Sequence, residues 1–580
     1  MYYIVTGQLL QSVKVPTDLL LHDDIQRSDN LHLPSYSKSI NTYYLSIVDA
    51  LQKAGDLSVP KIPVNSLKEF WSDELNRLKD ISIDIHGLWK NLGSPRHGSI
   101  NIARLKAKLN YKNAIRAAAS NSLLKNSKLI NESLTNKDGS SFWKLWNSKF
   151  NNNNKCSQTV DGCSDPTDCA NVFRNHFSNT FVDSLGDSNA VKGFMDDIQE
   201  IQKNAENFSL EISDVERCIS KLKRNKSPGF DGLFAVHIIH AHPSLVVHIK
   251  FLFLIMMKFS FVPDDFGMGI ITPILKDPHG ELDAVDNYRP ITISPIISKL
   301  FEHLLIDKFF SFLNTDDLQF GFKKNMNCSH ALFLLRQTVD YFTKHGSDIF
   351  LASLDASKAF DRINHFKLYS ILNKTNVPKM FIRIIINWYG KLYAKVKWNN
   401  CYSTIFSIFS GVRQGGVLSP LLFNCYVNMI ILELKKSDFG CKLYNLYIGC
   451  IMYADDILLL SGSIMNLQCM LDLCHNVGKD LGITFNGLKS HCLHIGPTNI
   501  KSHADMSLGA NRIEWCSKIK YLGVCINSGI NFDIDLTESR SKFFRTANCI
   551  LHKATLTCDM VKLKILESHC LPIILYCCES

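Results

Sequence analysis

Apolar and polar positions change their period several times along the chain. Residues 1–80 mix isolated apolar runs with polar stretches and carry no assignable repeat or motif. IARLKAKLNYKNAIRAAA then reads as a helix, with Leu105, Leu109 and Ile115 set among bases and Trp143 and Trp146 following. Asn151–Asn154 and the polar, Asp-rich residues to about Asn207 read as a surface linker. From Glu211 to about Ile526, short β-rich apolar runs alternate with helical patterns. IFLASLD predicts a buried strand ending in Asp355, with a helix marked by Leu368, Ile371 and Leu372 after it. Ile448–Leu460 predicts two apolar strands joined by an acidic turn, a β-hairpin with Asp455 and Asp456 at its tip. Gly411–Pro420 predicts a glycine loop entering a helix, with Ser419 as N-cap and Pro420 in the first helical position. Leu422, Cys425, Tyr426 and Met429 continue that helix on one face.

Composition narrows the class. At 46% hydrophobic and 20% charged the chain is globular, and 580 residues at roughly 150 per domain leave room for several cores. The most apolar run, Phe251–Met257, lies between Lys250 and Lys258 and is far short of the ~18 residues of a membrane span. The first residues carry no secretory or transit signal, so the expected location is intracellular. Nineteen cysteines form no C-x-x-C pair, which excludes knuckle and redox readings and leaves buried free thiols. Sixty-four Lys and Arg against 54 Asp and Glu give +10, yet Lys90–Lys155 alone holds 13 bases against two acids. That segment is either a solvated helix face or a basic arm for a phosphate backbone, and the scarcity of acids favours the arm.

An Asp pair in a turn is ordinarily bland, since Asp favours turns. Apolar flanks change this, because carboxylates held on a buried support repel one another unless a cation sits between them. Oxygen ligands without His or Cys favour Mg²⁺, with Mn²⁺ as substitute, over zinc. If Asp355 converges on the Asp455–Asp456 tip, the set fits a two-metal site for in-line phosphoryl displacement. In the glycine loop, Arg413 and Gln414 have the chemistry to bond base, sugar or phosphate, although a well-capped helix start explains the segment equally well.

These residues together resemble the reverse transcriptase of non-LTR (LINE-type) retrotransposons. YADD at Tyr453, LDASKAFDRINH, GVRQGGVLSPLLFN, NYRPI at Asn287 and QFGF at Gln319 stand in the family's order, between SPGFDGL at Ser227 and KYLGV at Lys520. The resemblance implies an α+β, right-hand polymerase fold: fingers, a palm with an antiparallel sheet and acidic hairpin, and a partial helical thumb, preceded by a helical basic connector. Expected bounds are connector 1–207 (basic over 90–155), fingers 211–341, palm 347–527 and thumb 528–580, with the reverse transcriptase domain at about 256–527. It implies an RNA-directed DNA polymerase, a nucleotidyltransferase in which Asp355, Asp455 and Asp456 are catalytic and bind two Mg²⁺ with the Ala356 backbone. Nucleotide-binding residues are then Lys276, Arg289, Phe360, Arg413, Gln414 and Gly415, Phe360 excluding a 2′-hydroxyl. Lys489 resembles a general acid, and Tyr521, Leu522 and Gly523 a primer grip.

Expected partners are template RNA, a DNA primer or target DNA and dNTPs, without a membrane, in a nuclear and cytoplasmic ribonucleoprotein. No endonuclease motif precedes the region and no Cys–His knuckle follows it, so a truncated copy is expected. The alternative is a remnant that binds RNA without polymerising.

Overall fold

The computed structural model describes residues 1–21, 33–60, 70–136, 138–150, 159–181, 208–277, 280–498, 503–553 and 559–579. Contacts group them into two compact units. One comprises Met1–Val59, Ser157–Leu536 and Cys577–Ser580; the other comprises Pro60–Cys156 and Thr537–Tyr576.

Two of the first unit's four sheets carry most of its strands. The larger has seven strands and carries Ile349–Ser357 at its centre, between Asp456–Ser461 and His491–Ile495, both antiparallel to it. Cys450–Tyr453 pairs with Asp456–Ser461 as the expected hairpin, and Asn511–Trp515 joins His491–Ile495 in parallel. Alternation fails along Ile349–Leu354 because both faces are covered, as buried strands require. The smaller sheet joins Met268–Leu275 to Tyr288–Ile293 by an antiparallel pairing and to Tyr393–Trp398 by a parallel one. This draws Tyr393–Trp398, Cys401–Tyr402 and Phe406–Ser407 out of the expected palm into the sheet of the expected fingers. A parallel pairing across more than a hundred residues leaves no local pattern to read.

The expected connector 1–207 is divided between the units. Helices Tyr2–Gln11 and Leu33–Ser58 bury Leu10, Ile40 and Tyr44 in the first unit's core, and the Tyr43 hydroxyl meets His248 Nδ1 at 2.9 Å. Helix Pro166–Thr180 begins at an Asp165 cap and lays Phe173 against Trp398 and Tyr288. The Asn151–Asn154 linker lies outside the described residues.

The second unit joins the basic segment to the expected thumb. Helices Asp73–Asn91 and Ser99–Thr135 pack against one another, and the longer one contains the run read as a basic helix. Ile130, Phe142 and Trp146 share one apolar cluster with Ile550, Val561 and Ile565. The 60–156 part of the expected connector and most of the expected thumb therefore share one small core. Its sequence holds 23 Lys and Arg against 10 Asp and Glu.

Candidate active site

Tyr453 and Asp456 are cross-strand partners, so Ala454 and Asp455 form a two-residue turn. Ala454 has φ +59°, a left-handed conformation that costs a non-glycine residue roughly 1 kcal/mol. Gln319, fully buried, holds it there: its Oε1 accepts from the Ala454 and Gly321 amides at 2.9 Å each, and its Nε2 donates to the Ala454 carbonyl at 3.3 Å. Gly321 lies so close that any Cβ there would collide with the Ala454 amide. Buried Asn424 donates to the Gly321 carbonyl at 2.7 Å and completes the buckle. QFGF, read only as a motif, is thus the support of the acidic turn.

Asp355 stands directly opposite Asp456 on the neighbouring strand, which places both side chains on one face of the sheet. Its main chain is fastened to the Asn486–Ser490 turn: Ser490 Oγ accepts from the Asp355 amide at 3.3 Å and Asn486 donates to the Asp355 carbonyl at 2.8 Å. That turn carries Lys489 to the same place.

A pocket of about 640 Å³ collects most of the expected residues. Asp355, Ala356, Phe360, Asp455, Gln414 and Lys489 line it, and Lys276 and Arg289 arrive from the smaller sheet. Burial, then the charge of Asp355, raises the Asp455 carboxyl. Burial, Asp455 and Asp355 push Asp456 up to about 6. Burial and the neighbouring Lys358 lower the Lys276 ammonium. The Phe360 ring stacks on Phe423 at 4.0 Å and meets Phe322 edge-on at 5.9 Å, which fixes it in the floor.

Several expected residues stand elsewhere. Asp456 does not line the pocket. Arg413 is buried, is absent from the pocket lining, and gives its guanidinium to the Phe266 and Gly267 carbonyls and to Ser294 Oγ. Its countercharge is Glu302, whose Oε2 accepts from the Val417 and Leu418 amides. The helix accordingly starts at Ser419 with Leu418 in the cap position, because Glu302 from another helix supplies the acceptor expected of Ser419. Gly415, at φ +112°, presses on the smaller sheet: an added Cβ would lie 2.7 Å from the Thr292 carbonyl. Tyr521 is buried and donates to the Ile451 carbonyl at 3.0 Å, under the acidic hairpin, while Leu522 and Gly523 turn at φ +47° and +84°.

The pocket also holds residues that sequence reasoning passed over. Asp361 is 4% exposed, and burial pushes its carboxyl up to about 6. It accepts from Gln414 Nε2 at 2.7 Å, which turns the Gln414 carbonyl oxygen away from it. Lys358, His176 and Thr180 line another wall. AFD in LDASKAFDRINH offered a signal for Asp361; nothing local marked His176.

No three His, Cys, Asp or Glu side chains among the described residues group closely enough to hold an ion on their own. The Asp355 and Asp455 carboxylates on one pocket still suit a hard divalent cation that takes further oxygen ligands from phosphate and water. Among the described residues no helix is long and apolar enough to cross a membrane.

Residues 274–526 match the reverse transcriptase (RNA-dependent DNA polymerase) family. The chain is 29% identical over 210 residues to the retrovirus-related Pol polyprotein from type-2 retrotransposable element R2DM of Drosophila melanogaster, covering 36% of this chain and 20% of that protein. It is 25% identical over 353 residues to the RNA-directed DNA polymerase from mobile element jockey of Drosophila funebris, covering 57% and 37%. A structure of apo telomerase from Candida tropicalis truncated from its C-terminal domain aligns over 71% of this chain and 90% of that one, at 13% identity and a TM-score of 0.36. The chain thus spans well under half the length of these curated relatives. Residues 274–526 thus match the reverse transcriptase family, and the chain is similar over part of its length to RNA-directed DNA polymerases of retrotransposable elements.

Proposed function

We propose that this chain copies RNA into DNA by nucleotidyl transfer in the 640 Å³ pocket. The observation that carries the reading is the opposition of charges across it: Asp355 and Asp455 on the strand and hairpin, Lys276 and Arg289 on the facing sheet. Such an arrangement suits a metal–triphosphate, with carboxylates for the cation and a planar guanidinium for phosphate. A bound Mg²⁺, or Mn²⁺ as substitute, would supply Lewis-acid chemistry to the primer hydroxyl and the departing pyrophosphate. Asp355 and Asp455, with the Ala356 backbone, would hold it, and Asp456 tunes the acidic pair from beside it.

Phe360 lies beneath the incoming sugar and excludes ribonucleotides by its edge. The Gln414 carbonyl oxygen faces the nucleotide as an acceptor. Lys489 is placed to give a proton to departing pyrophosphate, and the Tyr521–Gly523 turn supports the primer end. In domain terms the fingers include the Tyr393–Ser407 strands, and the thumb is built jointly with the Pro60–Cys156 segment.

The test is primer extension on homopolymer RNA with a DNA primer and the complementary dNTP. Divalent-metal-dependent extension that disappears in Asp455→Asn and in Asp355→Asn is expected. Extension that survives either change overturns the assignment. Tight, salt-sensitive RNA binding with no extension at all favours the non-polymerising remnant.

A further inference from the structure

Lys358 follows the strand that ends in Asp355 and Ala356, and takes a left-handed backbone conformation at φ +51°. Its ammonium group has donors only, so every polar neighbour must accept. His176 Nε2 lies 3.3 Å from it and Thr180 Oγ1 3.5 Å. Those two residues stand four apart on helix Pro166–Thr180 and therefore share one face. Phe173 and Phe177, on the adjoining stripe of the same helix, are buried in the core, which makes it a rigid support. The remaining direction of the ammonium points to Asp286 Oδ1 at 3.5 Å, an oxygen that is also 3.5 Å from His176 Nε2. The Asp286 side chain is 78% exposed, while Lys276 Nζ donates to the Asp286 carbonyl at 2.7 Å. One exposed carboxylate therefore occupies the focus of the basic groups on this wall, where a phosphate oxygen would take its place with more charge and more acceptors.

We infer that Lys358 is a further cation for the nucleotide's polyphosphate, aimed into the pocket by His176 and Thr180 from a helix that lies outside the family-matched residues. Lys358 is the contact; His176 and Thr180 are positioning residues. The inference rests on the reading of this pocket as the dNTP site and adds to it a wall contributed by the segment before residue 274.

The experiment measures dNTP dependence of primer extension for the full chain and for Lys358→Ala, Lys358→Arg, His176→Ala and the double variant Lys358→Ala/His176→Ala. Loss of one charge-assisted phosphate contact is expected to raise the dNTP KM about tenfold. The rate at saturating dNTP and the primer–template Kd stay unchanged, and Lys358→Arg recovers part of the loss. His176→Ala raises KM less, and adds nothing in the Lys358→Ala background because it acts through the lysine. An active Lys358→Ala enzyme with the wild-type KM overturns the inference. Should wild type fail to extend, so that the polymerase reading itself fails, calorimetric titration with inorganic tripolyphosphate decides the point. Wild type binding several-fold more tightly than Lys358→Ala supports the polyphosphate site, and equal binding removes it.

Discussion

Gln319 clasps Ala454: one carboxamide accepts from that residue's amide at 2.9 Å and donates to its carbonyl at 3.3 Å, on a turn held at φ +59°. The acidic turn is therefore not self-supporting. Its shape is imposed by a segment more than a hundred residues earlier, which also bridges in parallel to Met452.

Gln319→Ala leaves the buried amides of Gly321 and Ala454 without an acceptor, at about 1–3 kcal/mol each. Gly321→Ala drives a methyl group into the turn. Both variants are expected to lose at least tenfold in kcat of primer extension. Gln319→Glu keeps the acceptor but loses the donor, and should fall between them and wild type. Extension by Gln319→Ala at the full wild-type rate would show that the turn keeps its shape unaided.

Arg413 and Glu302 form a buried charged pair whose other partners are backbone groups and the Ser294 hydroxyl. Removing one member strands the other, typically at 3–5 kcal/mol. Arg413→Ala should therefore unfold at a markedly lower temperature. Its residual activity, measured below that transition, should retain the wild-type dNTP KM. A raised KM with unchanged stability would restore the ligand role that the glycine-loop motif suggests.

Asp361 gives a pH signature. Its carboxyl is raised from the ordinary 3.8 to about 6 by burial, so the folded chain holds a proton that the unfolded chain releases between those values. Stability is therefore lost as pH rises from about 4 to 6, and stays reduced above that. Asp361→Asn, which can still accept from Gln414, escapes this loss. At pH 7.5 it should be more stable than wild type by about 3 kcal/mol in urea unfolding, with the gap narrowing below pH 6 and closing near pH 3. A gap that is constant with pH rules out the buried carboxyl as its source.

Phe360 is clamped between Phe423 and Phe322, so shortening it opens space without collapse of the floor. Phe360→Val is expected to raise ribonucleotide incorporation by at least tenfold while dNTP use falls only modestly. Unchanged discrimination would refute the gate.

The acidic hairpin, the strand ending in Asp355 and the loop entering the Ser419 helix were legible because each depends on a local run: apolar residues on both sides of a fixed turn or cap. Phe360, Gln414 and Lys489 were found by motif position, and the pocket lining contains all three. The burial of Arg413 beside Glu302 was not legible, since sequence does not reveal whether a loop arginine faces solvent or a buried glutamate. Asp361 and Lys358 stood inside a recognised motif without a visible partner.

What the amino-acid sequence determined by itself was the order of elements and the chemistry at their ends, because hydrophobic period, turn residues and caps act over a few neighbours. Tertiary structure alone decided which distant pieces share a core or a pocket. It brought His176 to Lys358, Gln319 to Ala454, the Tyr393–Trp398 strand to Met268–Leu275, and the basic helices to residues 537–576. Those associations follow from burying apolar faces that no single segment can cover, and such complementarity leaves no period in the chain.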